Sequence, residues 1–158
     1  MDLKLKTQKG HRLNVRPDTL DFRDRMFEPT LVEVPVRIDL ALYKKYRVPV
    51  LDQGKEGACT GYGLASVVNY LLRKRKVVPD KIGVSPGMLY YLAKRYDEWP
   101  GENYDGSSPR AAMKGWHKHG ISSHKLWTKE RKLTREITSD AVTRPLGAYY
   151  RVNHKDLV

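Results

Sequence analysis

Apolar positions in the chain recur with a helical period in three places. Leu64, Val67, Val68, Leu71 and Leu72 repeat at the three-to-four-residue step of one helix face, which predicts a helix over about Thr60–Arg75. Leu89, Leu92, Ala93 and Tyr96 make a second such face, running to about Asp97. Its start is marked by Ser85-Pro86, a side-chain cap followed by a residue that needs no N–H partner. A third helix opens at Ser107 or Ser108, carries Pro109 in its first turn, and stops near His119 because Gly120 follows. Between the last two lies a loop, Asp97–Ser108, rich in turn formers.

Two-residue alternation appears elsewhere. Leu31–Ile38 alternates apolar and polar residues, and Pro35 restricts it to an edge strand or an extended segment. Leu40–Arg47 fits a short helix, and Leu146–Val152 reads as a strand. Thr128–Asp140 is charged and reads as a helical or irregular surface segment. Residues 1–17 are basic and aperiodic, so they read as an arm rather than as part of a core. The remainder, 18–158, is one domain's length.

Composition narrows the function classes. No run of about 18 apolar residues exists, so no membrane span is expected. A single cysteine cannot form an internal disulfide and suits a reducing compartment, so a cytoplasmic location is expected. Neither CxxC nor HExxH occurs; no metal or cofactor is expected. The net charge of +12 gathers in Lys4–Arg16, Lys44–Arg47, Arg73–Lys76 and Lys129–Arg135. Such charge raises polyanions as partners, but no helix-turn-helix, zinc-finger or RNP pattern accompanies it. Nucleic acid is therefore not the expected partner.

The one cysteine lies where the glycine-rich loop Leu51–Ala58 meets the first of these helices. Backbone N–H groups at a helix start lack intrahelical partners and the macrodipole is positive there, which stabilises a thiolate at Cys59. Gly54, Gly57, Gly61 and Gly63 leave little bulk around the sulfur. Gln53, six residues earlier, can present an amide N–H to an oxygen held near that sulfur. A lone helix cysteine is most often a small buried hydrophobe. The joint spacing of glutamine, glycine, helix onset and cysteine favours a nucleophile instead.

Asp52-Gln53-Gly54, followed after three residues by Ala58-Cys59, resembles the active-site run of papain-like cysteine peptidases. Pro17–Asp24, Val84-Ser85-Pro86 with Tyr90-Tyr91, and Tyr104–Met113 resemble further segments of that family. Glu56 and Thr60 stand where animal and plant members carry a disulfide cysteine and a tryptophan. Gly-Ala-Cys-Thr is closer to a disulfide-poor bacterial branch. The resemblance implies an α+β, papain-like fold seen mainly as its helical half, with a long central helix starting at Cys59 and the beginning of a β-rich half. It implies proteolysis through a Cys59 thioester, an oxyanion held by Gln53, and an extended peptide substrate paired with Gly106 and Ser107. An ordinary turn before a helix is the competing reading of those two. Leu126-Trp127 is implied to pack inside.

The family's histidine base lies about 130–150 residues beyond its cysteine, and only about 100 residues follow Cys59. His117 and His119 point to different faces of a helix, which argues against a shared ligand site. Asn153 and His154 point to opposite faces of a strand and stand in the wrong order. The catalytic His and Asn/Asp are thus expected outside this chain, in a missing C-terminal half or a second polypeptide. The alternative is a non-catalytic papain-like relative, or a basic interaction module that binds peptide or polyanion.

Overall fold

The computed structural model describes residues 14–28, 30, 36–37, 39–75, 83–99, 104–127 and 132–153. Among the described residues six helices follow in order: α1 (Ala41–Lys45), α2 (Cys59–Lys74), α3 (Pro86–Arg95), α4 (Pro109–His119), α5 (His124–Trp127) and α6 (Arg135–Ala141). The caps explain most of the boundaries. Ser85 Oγ accepts the Met88 N–H at 3.1 Å and Ser108 Oγ accepts the Ala111 N–H at 3.2 Å, each just ahead of a proline. Thr134 Oγ1 does the same for Ile137 at the start of α6. Gly120 ends α4 in the left-handed region, φ 71°. A side chain there would also meet the Ala141 carbonyl, so only glycine lets α6 close over the end of α4.

Helices α2, α3 and α4 pack against one another around Ala65, Val68, Val84, Leu89, Trp116 and Ile121. A second apolar group, Met88, Leu92, Trp127, Ile137 and Ala141, fixes α5 and α6 beneath α3. Trp127 is buried, as the resemblance implied. Close approach is permitted by glycines: a Cβ on Gly61 would sit 2.6 Å from Pro86 O, and one on Gly115 2.6 Å from Leu92 Cβ.

Beta structure among the described residues is limited to three isolated bridges: Val15 with Ser107, Met26 with Arg151, and Val84 with Ser123. The strand expected over Leu146–Val152 is therefore not formed. Arg151 alone pairs, its N–H donating to Arg25 O and its carbonyl accepting from Phe27 N. The alternation in the sequence is real, but a strand needs a neighbouring edge over its whole length, and here it meets one for a single residue. Most of Leu31–Ile38 lies outside the described residues.

Residues 14–27 form a strap across the helices. Arg110, buried at the start of α4, donates to Asp24 at 2.5 Å, to the Thr19 carbonyl at 2.6 Å and to Glu98. Arg151 joins the same Asp24 at 2.9 Å, so one carboxylate ties the strap to α4 and to the chain near its end. Burial alone would raise the Glu98 carboxyl. Hydrogen bonds from the Thr19 N–H and hydroxyl and from Arg110 outweigh it and hold Glu98 below its ordinary value.

Candidate active site

Cys59 is the first residue of α2 and is half-buried. No side chain caps this helix at Ala58, unlike α3, α4 and α6. The loop before it is held by its own polar groups. Asp52 Oδ1 accepts the Gly54 N–H at 2.8 Å, and Gly54 takes φ 59°, a turn that favours glycine. Gln53 is fixed twice to Glu56: its amide nitrogen donates to Glu56 O at 3.0 Å, and its own carbonyl accepts from Glu56 N at 3.3 Å. The amide is thus anchored on the loop that delivers the sulfur.

Two contacts bring the loop ahead of α4 alongside Cys59, one on each side of it. Before the cysteine, Gly57 lies directly on Asp105, where a Cβ would come within 2.0 Å of the carbonyl oxygen. After it, Thr60 Oγ1 and Ser107 Oγ are 2.5 Å apart. Positions 57 and 60 straddle Cys59, as positions 105 and 107 straddle Gly106. The loop that carries Gly106 therefore passes close to the start of α2. The structure ties Asp105 and Ser107, on either side of Gly106, to the neighbours of Cys59, with Gln53 anchored on the adjoining loop.

The outer side of this backbone is covered by the chain itself. Val15 bridges Ser107 in parallel, and Asn14 Nδ2 donates to Asp105 O at 2.7 Å. Any side chain on Gly106 would strike Asn14 O and Tyr104. Arg16 lies over the rings of Tyr104 and Trp99 at 4.0 and 5.0 Å. Polar composition alone gave residues 14–17 no reason to pack; the main-chain edge at Ser107 supplies one. Tyr90 also belongs to this region, its backbone and Cβ lying against Gly61 of α2. Its phenol is pushed up by partial burial first, then by Asp105, Glu56 and the Cys59 sulfur. Its neighbour Tyr91 is partly exposed and packs on Trp127. The helical period did not separate the two, because they are adjacent and only packing decides which faces the groove.

His117 and His119 lie elsewhere. His117 Nδ1 is 3.1 Å from Leu146 O, and His119 Nε2 is 2.7 Å from the Tyr96 hydroxyl. Burial lowers the His119 imidazole, with Arg95 and Lys118 adding to the effect. Both residues sit eight and ten positions along α4 from Pro109, about 12–15 Å down a helix whose first turn adjoins Ser107. His154 lies outside the described residues. No three His, Cys, Asp or Glu side chains among the described residues come together as a metal site. A cleft of about 790 Å³ lies between the strap, α4 and Gly147–Val152, away from Cys59, and is bordered by the Arg110 ion network.

No protein-family model matches this chain, and no curated protein matches it. Among solved structures it is similar to xylellain, a cysteine protease from Xylella fastidiosa, with a TM-score of 0.73 and 26% identity. The match covers 94% of this chain and 61% of xylellain, so the chain spans about three-fifths of that protein's length. The fold matches a papain-like cysteine protease, and the described residues are helix-rich with little strand.

Proposed function

We propose that this chain is the nucleophile-bearing part of a cysteine-type peptidase of the disulfide-poor, papain-like kind. The observation that supports the reading is the pair of contacts, Gly57 with Asp105 and Thr60 with Ser107, that ties the loop around Gly106 to the start of α2. An extended peptide pairs its main chain with Gly106 and Ser107 by strand addition. The Cys59 sulfur attacks the scissile carbonyl carbon, and Gln53 with the Cys59 N–H hold the oxygen as it becomes negative. Collapse forms the thioester and releases the amine, which must take up a proton; water then cleaves the thioester. That proton requires an imidazole, and neither His117 nor His119 is placed to supply it. It comes from a further polypeptide segment packed on this one. An exposed apolar group formed by Leu20, Phe22, Met26 and Val152 supports such packing. Among the described residues no helix is long and apolar enough to cross a membrane. The single cysteine fits a reducing, cytoplasmic setting.

The reading is tested on the chain itself by the second-order rates at which Cys59 is labelled by a peptidyl epoxide and by iodoacetamide. The peptidyl reagent should react faster, relative to its rate with a free cysteine, because the Gly106–Ser107 edge orients it. Equal relative rates would leave only an interaction module. Removing residues 1–16 takes away Asn14 and Val15, so the peptidyl rate should then rise several-fold while iodoacetamide changes little. An unchanged peptidyl rate would show that the Val15–Ser107 bridge does not compete with a peptide.

A further inference from the structure

We infer that Thr60 is a positioning residue, which locks the peptide-pairing edge to the nucleophile through its hydroxyl contact with Ser107. The inference rests on the peptidase reading above. Thr60 directly follows Cys59 in the first turn of α2, and its Oγ1 lies 2.5 Å from the Ser107 Oγ. Ser107 is 1% exposed, so its hydroxyl has no recourse to solvent if that partner is removed. The two faces of Ser107 are used differently. Its main chain bridges outward to Val15, on the edge assigned to substrate, while its side chain reaches inward to α2.

Ser108, the next residue, caps α4 through the Ala111 N–H. The hydroxyl pair therefore joins the starts of two helices, one carrying the sulfur and the other fixing the edge. On the far side of Cys59, Gly57 lies against the Asp105 carbonyl in a close steric contact. A contact of that kind prevents approach but does not prevent separation. The Thr60–Ser107 hydroxyl pair is a directional bond that resists the edge moving away from the helix. Attack on a peptide carbonyl tolerates little such drift, since reacting atoms must be held about 3–3.5 Å apart with aligned orbitals. Alkylation by a small reagent has no such requirement, because the reagent is not held by the edge.

The test compares wild-type chain with T60V and T60S, each checked for native helix content by circular dichroism. Labelling of Cys59 by a peptidyl epoxide and by iodoacetamide is followed by mass spectrometry. In T60V, which keeps the shape and loses the hydroxyl, the ratio of peptidyl to iodoacetamide rates should fall roughly tenfold through the peptidyl rate alone. T60S should restore the wild-type ratio. S107A should match T60V, and the double variant T60V/S107A should fall no further. A wild-type preference that survives in T60V overturns the inference while leaving the peptidase reading standing. So does a T60V variant in which both rates fall together. A wild-type chain with no preference for the peptidyl reagent removes both.

Discussion

Replacing Gln53 by alanine is expected to slow acylation of Cys59 by a peptidyl p-nitrophenyl ester about 100- to 1,000-fold. The ester suits the chain because p-nitrophenolate leaves without a proton, so no imidazole is needed for the first step. Attack on its carbonyl still puts negative charge on oxygen, and that charge is what an amide N–H stabilises. Alkylation by iodoacetamide occurs at a saturated carbon and develops no oxyanion, so its rate should be nearly unchanged. Gln53 also anchors the loop through Glu56 O. Gln53→Ala and Gln53→Glu each lose this anchor together with the oxyanion donor, so the iodoacetamide rate separates the two roles: a slow ester reaction with nearly unchanged alkylation in both variants is the expected result. An ester rate within threefold of wild type in both variants would remove Gln53 from the oxyanion site.

The largest effect on stability is expected at Arg110. Its guanidinium bonds Asp24, Glu98 and the Thr19 carbonyl while buried. Arg110→Ala leaves two partly buried carboxylates without their main cation, and breaking a buried pair in this way costs about 3–5 kcal/mol. For a chain of this size that corresponds to a fall in Tm of about 10 °C. The pH dependence follows from Glu98, whose carboxyl is held below its ordinary value of 4.5 in the folded chain. Its stabilising contribution is complete above that value and is lost as pH falls through the lower, folded one. Without Arg110 the folded value moves back toward 4.5, and less stability remains to be lost on acidification. Thermal melts from pH 7 down to 3 should show a shallower decline in Arg110→Ala than in wild type. A Tm within 2 °C of wild type would mean that the network contributes little.

Where the sequence carries a local signal, the fold was legible in it. Helices α3 and α4 are announced by Ser-Pro pairs and α4 is closed by Gly120, because caps and left-handed stops depend on only a few neighbouring residues. The start of α2, which has no side-chain cap, was legible within one residue from its apolar period and the glycine-rich loop before it. Contacts between distant positions left no such mark. Thr60 and Ser107 are 47 positions apart, and neither hydroxyl looks unusual alone. Val15 sits in a basic stretch that composition assigns to an arm, yet extended backbone of any composition can pair with an open edge. Leu146–Val152 erred in the opposite direction, its alternation promising a strand for which only Met26 supplies a partner. The ion pairs of Arg110 and Arg151 with Asp24 likewise join distant positions, 86 and 127 apart, and left no local mark.

The decisive measurement is a crystal structure of the full chain after reaction with a peptidyl epoxide. A bond from the reagent to Cys59, with its peptide main chain paired to Gly106 and Ser107 and Val15 displaced from that edge, is the result predicted here. A reagent bonded to Cys59 whose peptide lies away from Gly106, with the Val15–Ser107 bridge still in place, would contradict it.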